Sequence, residues 1–195
     1  VIERKFVGDE IQLDLWRDGQ ALRKVVRLTP FVKGSQYRNL YDVRPEYCIY
    51  AGLVFQPLSR EYLKTWGDGW EDTADKRLLY YFANYFLRKE LWQEKKDIVV
   101  LAKRLPDPLT TYCEAYIDRV VSRVDGRPVR DFAAFMVLMA QEEGPYKVIE
   151  FDGESPPLVL ATGEARAAHE RILKTYGIRR ERYFDPVRIR KEPQP

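Results

Sequence analysis

The N-terminal part of the chain alternates apolar and polar residues in two short runs, a pattern typical of strands. The apolar members of these runs are Ile11, Leu13, Leu15, Val25, Val26 and Leu28. Asp18-Gly19 stands between the runs, and this dipeptide favours a tight hairpin turn. The pattern therefore predicts a β-hairpin, which is too short to bury a core by itself and must pack on something else.

A continuous β-favouring run follows at residues 47–58. It is rich in Val, Ile, Tyr and Phe, which suit a half-buried strand. Gly52 inside the run indicates a bulge or the close approach of another backbone, and Pro57 lies near its end. The segment before it, 31–46, is polar and contains Arg44-Pro45, which disfavours a helix. We expect the rest of the chain to be organised around the 47–58 strand and its edge.

Residues 72–92 predict a helix that is apolar on most of its sides. Asp72 or Thr73 can cap its start. One apolar stripe consists of Leu78, Tyr81, Phe82, Tyr85 and Phe86. The other faces carry Leu79, Tyr80, Ala83 and Leu87, which are candidate contacts between subunits. Such a helix either lies buried between layers or presents a surface to another chain, and the pattern leaves both open.

Further along, residues 98–102 predict a buried strand and 115–124 a strand pair that ends in the turn Asp125-Gly126. A helix then runs from about residue 130 to Gln141. Its apolar stripe consists of Phe132, Phe135, Met136 and Met139. Any buried helix face shows this spacing, so plain core packing competes with a binding role for these side chains.

The last elements of the chain repeat the first. A strand at 146–151, the turn Asp152-Gly153 and an apolar return strand at 158–160 parallel the N-terminal hairpin. A final helix, Glu164 to Tyr176, follows; Thr162 is its expected cap and Gly177 its end.

This repeat predicts the domain organisation. We expect residues 1–30 to be the closing hairpin of a preceding domain and 31–46 to be a linker. Residues 47–177 then form a complete second domain with a helical insert at 72–92, and 178–195 form a basic tail that ends in Pro.

Composition and charge are those of an ordinary globular protein. The 195 residues are 45% hydrophobic and 32% charged, and no run approaches the roughly 18 apolar residues of a membrane span. The net charge of +3 resides in 178–195, which hold five Arg and one Lys against two Glu and one Asp. We expect this tail to be solvated, with nucleic acid or membrane contact as the less favoured alternative. Because the chain starts at Val1, we expect a fragment of a longer protein.

Few residues could carry chemistry. His169 is the single histidine, and we expect it on the surface of a charged helix. Cys48 and Cys113 lack a metal or redox spacing and are expected as small buried hydrophobic residues. The acids from Glu71 to Asp75 suit a solvated helix start. No serine stands in a triad context and no ligand set fits zinc or calcium, so the sequence predicts no catalytic residue, no metal and no cofactor.

Several segments resemble PDZ domains. Gly52-Leu53-Val54-Phe55 is similar to the GLGF carboxylate-binding loop of that family. The string Val124 to Val129, with the helix start after it, resembles the turn and helix of PDZ domains in HtrA/Deg serine proteases. Residues 8–28 resemble the closing hairpin of such a domain. Residues 51–63 are similar to the atypical second PDZ domain of plant Deg proteases and their bacterial relatives.

The resemblance covers roughly residues 1–177 and implies both a fold and a groove. The fold would be α+β, a PDZ-like, partly open antiparallel β-barrel or sandwich with two or three helices, after the last hairpin of a preceding PDZ domain. In PDZ domains an extended peptide pairs with the edge of the strand after the loop, and loop N–H groups bind its C-terminal carboxylate. The residues thereby assigned to peptide binding are Gly52, Leu53, Val54, Phe55, Gln56, Phe132, Phe135, Met136 and Met139.

Two positions depart from the family pattern. Val54 stands where the loop has a glycine, so a positive φ there would be strained. Pro57 lacks the N–H that an added strand would use. We therefore predict that subunit assembly outweighs the capture of free C-terminal peptides.

Three hypotheses follow for function. The first is a non-catalytic PDZ module of an HtrA/Deg-type serine endopeptidase that positions substrate and helps to assemble a homo-oligomer. Its partners would be protein or peptide segments, including its own protease domain or neighbouring protomers, and neither nucleic acid nor a membrane span. The alternative is a free-standing PDZ scaffold without a protease domain, and the third is an unrecognised enzyme. The resemblance implies an extracytoplasmic compartment if the source is bacterial.

Overall fold

A computed structural model of the chain describes residues 5–6, 8–28, 43–84, 95–141, 143–153 and 156–185. The chain divides into two compact units, residues 1–34 and 35–195. The strands are β1 Glu10–Arg17, β2 Gln20–Arg27, β3 Tyr47–Tyr50, β4 Leu53–Pro57, β5 Val99–Arg104, β6 Val121–Val124, β7 Arg127–Pro128, β8 Tyr146–Phe151, β9 Leu158–Ala161 and β10 Arg182–Tyr183. The α-helices are α1 Arg60–Leu63, α2 Trp70–Thr73, α3 Lys76–Asn84, α4 Phe132–Ala140 and α5 Thr162–Thr175.

The first unit contains the predicted hairpin. Strands β1 and β2 pair antiparallel from Glu10 opposite Arg27 to Arg17 opposite Gln20. Asp18 and Gly19 take φ values of 55° and 77°, the two positive angles of a turn whose twist matches the strands. The hairpin leaves large apolar side chains exposed, with Trp16 at 75%.

The second unit carries two four-stranded antiparallel sheets, in the orders β10-β3-β4-β5 and β7-β6-β8-β9. The predicted α+β fold class with open antiparallel sheets is confirmed. The main core lies between the sheets and α4, where Phe55, Phe132 and Phe135 are fully buried. A second cluster lies under α1 to α3 around Leu63 and Leu78.

The expected single strand at 47–58 is instead a hairpin. Ala51 and Gly52 form a two-residue turn between β3 and β4, with φ values of 48° and 83°. The prediction of one continuous strand was wrong because alanine rarely adopts a positive φ, so Ala51 gave no turn signal. The interpretation of Gly52 as a close approach is confirmed, since a Cβ there would lie 2.8 Å from Ile172 Cδ1 and 3.3 Å from the Leu105 carbonyl oxygen.

Helix α4 has carboxylates at its start and an ammonium at its end. Asp131 and Asp97 accept hydrogen bonds from the N–H groups of Ala134 and Phe132, at 2.7 and 3.1 Å. Lys147 of β8 is 1% exposed, and its Nζ donates to the carbonyls of Leu138 and Gln141. Capping at both ends fixes the position of α4 against the sheets.

Helix α5 begins at Thr162 itself, so Thr162 is not the residue before the helix as predicted. Its Oγ1 donates to the carbonyl of Gly144 at 2.8 Å and ties the helix to the start of β8. The predicted end is confirmed at Gly177, which follows the helix with a φ of 62°.

Three other expectations differ from the structure. Asp72 and Thr73 lie inside α2 rather than capping one long helix, and α3 begins only at Lys76. In the stretch 115–124, a 3₁₀ helix, Pro108–Tyr116, precedes the single strand β6. The expected solvated tail is wrong for residues 181–185, because β10 pairs with β3. Residues 85–94, the second half of the predicted insert, and 186–195 lie outside the described residues.

Within the described ranges, no helix is long and apolar enough to cross a bilayer. The same ranges contain no group of three His, Cys, Asp or Glu side chains that could hold a metal ion. Cys48 and Cys113 are both buried and unpaired, as predicted. Burial raises the pKa of Cys48 to about 12, so the thiolate is scarce at neutral pH.

Candidate functional site

Strand β4, where the family resemblance places the peptide, is paired on both sides from Leu53 to Phe55. Cys48, Ile49 and Tyr50 of β3 pair with one side of it. Strand β5 pairs with the other side from Leu53 to Pro57. The expected working edge is therefore wrong: the chain's own β3 runs antiparallel to β4 where an added peptide would run.

The segment that resembles the carboxylate-binding loop contains the Ala51-Gly52 turn between β3 and β4. In a two-residue hairpin the chain reverses at once, and the following backbone N–H groups point into the ladders rather than towards an anion. Leu53 and Phe55 are fully buried. Val54 lies in β4 next to an irregularity in its pairing with β5, between Val54 and Phe55. Its φ is not positive, so the strain expected at this position does not arise; the positive φ values fall on Ala51 and Gly52.

The side chains assigned to the pocket wall separate into two groups. Phe132, Phe135 and Met139 are buried in the main core, and the Phe135 ring lies 4.8 Å from that of Phe55. Met136 is half-buried and faces a surface groove. Gln56, the last loop residue assigned to peptide, is half-buried in β4 opposite Val100 of β5.

This groove, of about 620 Å³, lies between α4 and the segment around β10. Its walls are Ala133, Met136, Val137, Ala140, Gln141, Arg182 and Phe184. Val137 is 58% exposed, so α4 is apolar on its solvent side as well as on its core side. Gln141 Oε1 is buried and has no hydrogen-bond partner among the described residues. The solvent side of α4 therefore exposes apolar side chains in the groove.

His169 of α5 connects the Ala51-Gly52 turn to Glu181, the residue before β10. The N–H of Ala51 donates to His169 Nδ1 at 3.2 Å. Since Nδ1 accepts, Nε2 carries the proton and donates to Glu181 at 2.8 Å. The prediction of a surface histidine was wrong: its side chain is 19% exposed and both ring nitrogens are engaged. Neither nitrogen is therefore free to act as the base of a nucleophile.

A signal for His169 was present in the sequence. The buried stripe of α5 contains Ala165, Ala168 and Ile172. His169 lies four residues after Ala165 and three before Ile172, which places it on the same face of the helix. Phe184 and Glu181 could not be found in this way, because a two-residue strand carries no period.

The residues of α3 that were predicted to contact another subunit differ in their exposure. Tyr80 and Ala83 are exposed, whereas Leu79 is half-buried against the second cluster. Leu87 lies outside the described residues. A second pocket, of about 350 Å³, lies at this helix and includes Tyr81 and Asp152 in its lining.

Two tyrosine–aspartate hydrogen bonds attach α1 and α3 to the rest of the unit. Tyr62 donates to Asp118 at 2.5 Å and Tyr81 donates to Asp152 at 2.6 Å. Burial, followed by the hydrogen bond to the neighbouring carboxylate, raises the pKa of both tyrosines well above the usual range. Lys95 also binds Asp152 at 3.0 Å. These groups serve as donors and acceptors of structural contacts.

Comparison with known proteins agrees with this architecture. The PDZ domain family matches residues 37–185. The chloroplastic Protease Do-like 2 of Arabidopsis thaliana is 30% identical over 194 residues, which cover 96% of this chain and 30% of that protein. A serine protease DegP homolog of Plasmodium falciparum is 24% identical over 218 residues, which cover 94% of this chain and 24% of that protein.

The chain thus spans less than a third of the length of these relatives. PDZ domains are protein-interaction modules. The chain belongs to the PDZ domain family, and over nearly its whole length it corresponds to the PDZ region of HtrA/Deg-type proteases.

Proposed function

We propose that this chain is the non-catalytic PDZ region of a longer HtrA/Deg-type serine endopeptidase, in which it positions substrate and holds subunits together. The relatives named as proteases support this role. One ring nitrogen of His169 is bonded to Ala51 and the other to Glu181. This arrangement supports a non-catalytic role for the chain.

The observation that carries the proposal is the apolar groove outside α4. Its helix wall consists of Ala133, Met136, Val137 and Ala140. Burying apolar side chains of this kind against another protein removes them from water and stabilises the contact. The groove therefore suits a protein segment.

The closed turn at Ala51-Gly52 supports assembly over capture of free C-termini. Strand β4 is paired on both sides, so a C-terminal peptide finds neither a ladder edge nor a cradle of N–H groups there. Assembly rather than peptide capture was also predicted from the sequence, from Val54 and Pro57; here the β3–β4 hairpin supports the part of that prediction that concerns capture.

A pair of valine substitutions in the full-length gene product tests the proposal. Val137 in the groove and Val159 on β9 are exposed to similar degrees, 58% and 49%. We expect Val137→Glu to lower the oligomer mass in sedimentation or light scattering, or the rate of cleavage of an unfolded protein, because it places a charge in an apolar contact. The matched Val159→Glu variant should change neither. If the Val137→Glu protein keeps both its mass and its cleavage rate, the groove has no such role.

A further inference from the structure

Residues 181–185 lie along the edge of β3 as a short added strand. Arg182 pairs with Cys48 and Tyr183 with Tyr47, antiparallel. The N–H of Ile49 donates to the Glu181 carbonyl at 2.7 Å. Pairing of an extended segment with a sheet edge beside a helix is the geometry in which proteins bind peptides by strand addition.

Side chains of the segment contact two helices and Arg44, which precedes β3. Glu181 accepts from His169 of α5 at 2.8 Å. Tyr183 lies under the Arg44 guanidinium, 4.4 Å from its carbon to the ring centroid. Phe184 lies against Phe132 of α4, with ring centroids 6.4 Å apart. The backbone contacts would accept any sequence, whereas these side-chain contacts select one.

The segment is short and more exposed than the edge that it covers. None of residues 181–185 is fully buried, whereas Cys48 and Ile49 on β3 are buried beneath them. The named strand is two residues long. Gly177, with a φ of 62°, separates the segment from α5 and offers a point at which the chain can reorient.

We propose that the β3 edge beside α4 is a binding site for an extended internal protein segment, which the chain's own residues 181–185 occupy in cis. The ligand in trans has an acidic residue that binds His169 and, three positions later, an aromatic residue that binds beside Phe132. It need not end at a carboxylate, because the chain continues on both sides of the bound segment. This inference rests on the proposed role as a protein-interaction module and names the chemistry of its partner.

The test weakens the cis segment in the full chain and supplies the same segment in trans. The probe is a fluorescent peptide with the sequence of residues 178–185 and both ends blocked. We expect the Glu181→Ala/Phe184→Ala chain to bind it about tenfold more tightly than the unchanged chain does, since the loss of anchor side chains weakens the competitor. The single Phe184→Ala chain is measured in parallel. If the double variant does not fold, the single variant still provides the comparison.

Peptide variants test the two anchors. Peptides with Ala at the Glu181 or the Phe184 position should each bind about tenfold more weakly, whereas Ala at the exposed Arg179 position should change little. In a chain that also carries His169→Ala, the unchanged peptide should lose its advantage over the peptide with Ala at Glu181. Equal binding by the unchanged and weakened chains, or anchor positions that do not matter, would overturn the inference.

The outcomes separate this inference from the proposed function. If the peptide fails to bind while Val137→Glu still reduces assembly or cleavage, the β3 site is absent and the groove function stands. If the peptide binds and Val137→Glu has no effect, the β3 site exists and the groove function fails.

Discussion

At the scale of single residues, Gly52 is where local conformation and packing restrict the sequence most. Its φ of 83° lies in the region that side chains disfavour. Its Cα also faces Ile172 Cδ1 and Thr110 Cγ2, which would lie 2.8 and 3.1 Å from an added Cβ. Backbone strain and crowding act together here, and both keep the β3–β4 turn tight.

Gly52→Ala should therefore destabilise the domain by about 2–4 kcal/mol, from positive φ and from overpacking. Gly126 is the matched control, because its φ is 73° and nothing lies within 4 Å of an added Cβ. Gly126→Ala should cost about 1 kcal/mol from φ alone. Urea unfolding of both variants measures the difference, and equal losses would show that crowding at Gly52 is unimportant.

Among the charged side chains of the core, Lys147 is the one whose replacement should lower the free energy of unfolding most. Its Nζ is bound by Asp125 Oδ2 at 2.6 Å and by the Leu138 and Gln141 carbonyls at 3.1 and 2.5 Å. Lys147→Met removes the cation that pairs with the Asp125 carboxylate, which keeps the N–H of Val148 as a donor, and removes one donor from each of the two carbonyls. The free energy of unfolding should therefore fall by about 3–5 kcal/mol.

The control for Lys147 is Lys103, an exposed lysine near the end of β5. Lys103→Met should change the free energy of unfolding by less than about 0.5 kcal/mol. Thermal or urea unfolding of the two variants gives the comparison. A Lys147→Met protein as stable as the Lys103→Met protein would contradict the role assigned to the buried ammonium.

At the scale of elements, the 3₁₀ segment Pro108–Tyr116 and helix α5 are joined by one ion pair. Asp107 caps the 3₁₀ segment by accepting from Leu109 N–H at 3.0 Å. Arg171 of α5 binds the same carboxylate with two nitrogens, at 3.0 and 2.8 Å. The hydrogen bond from Arg171 is the main cause that lowers the pKa of Asp107 below its usual value.

Arg171→Ala should raise the pKa of Asp107 towards its usual value of about 3.9, which carboxyl NMR titration measures. A lowered pKa stabilises the folded state above the unfolded-state pKa and is lost as the pH falls through the folded-state pKa. The stability difference between the unchanged and Arg171→Ala proteins should therefore be present at neutral pH and vanish in acid. Arg171→Lys should lie between the two, and an unchanged Asp107 pKa in Arg171→Ala would refute the assignment.

Elements with strong local signals could be predicted from the sequence, and those without them could not. The turns at Asp18-Gly19 and Asp125-Gly126 take positive φ at both residues, as their residue types indicate. The Ala51-Gly52 turn escaped prediction because tertiary packing holds an alanine at positive φ. Strand β10 has two residues and no period, so only its pairing with β3 reveals it.

At the scale of the whole second unit, the candidate site was predicted in part. The apolar stripe of α4 was identified, but the helix is apolar all round, so periodicity could not tell which side faces the core and which faces the groove. The structure buries Phe132 and Phe135 and leaves Val137 exposed. The occupied edge of β4 could not be inferred either, because it depends on the unpredicted turn before it.

The most direct test of the account is whether β4 can receive a C-terminal carboxylate. The chain is titrated with C-terminal heptapeptides of varied sequence, each in a free-acid and an amidated form, while NMR follows the amides of Leu53, Val54 and Phe55. Because β3 and β5 pair with both sides of β4, we predict no carboxylate-dependent shift of these amides up to about millimolar peptide. Micromolar binding that requires the free carboxylate and is lost in Met136→Ala would contradict the account.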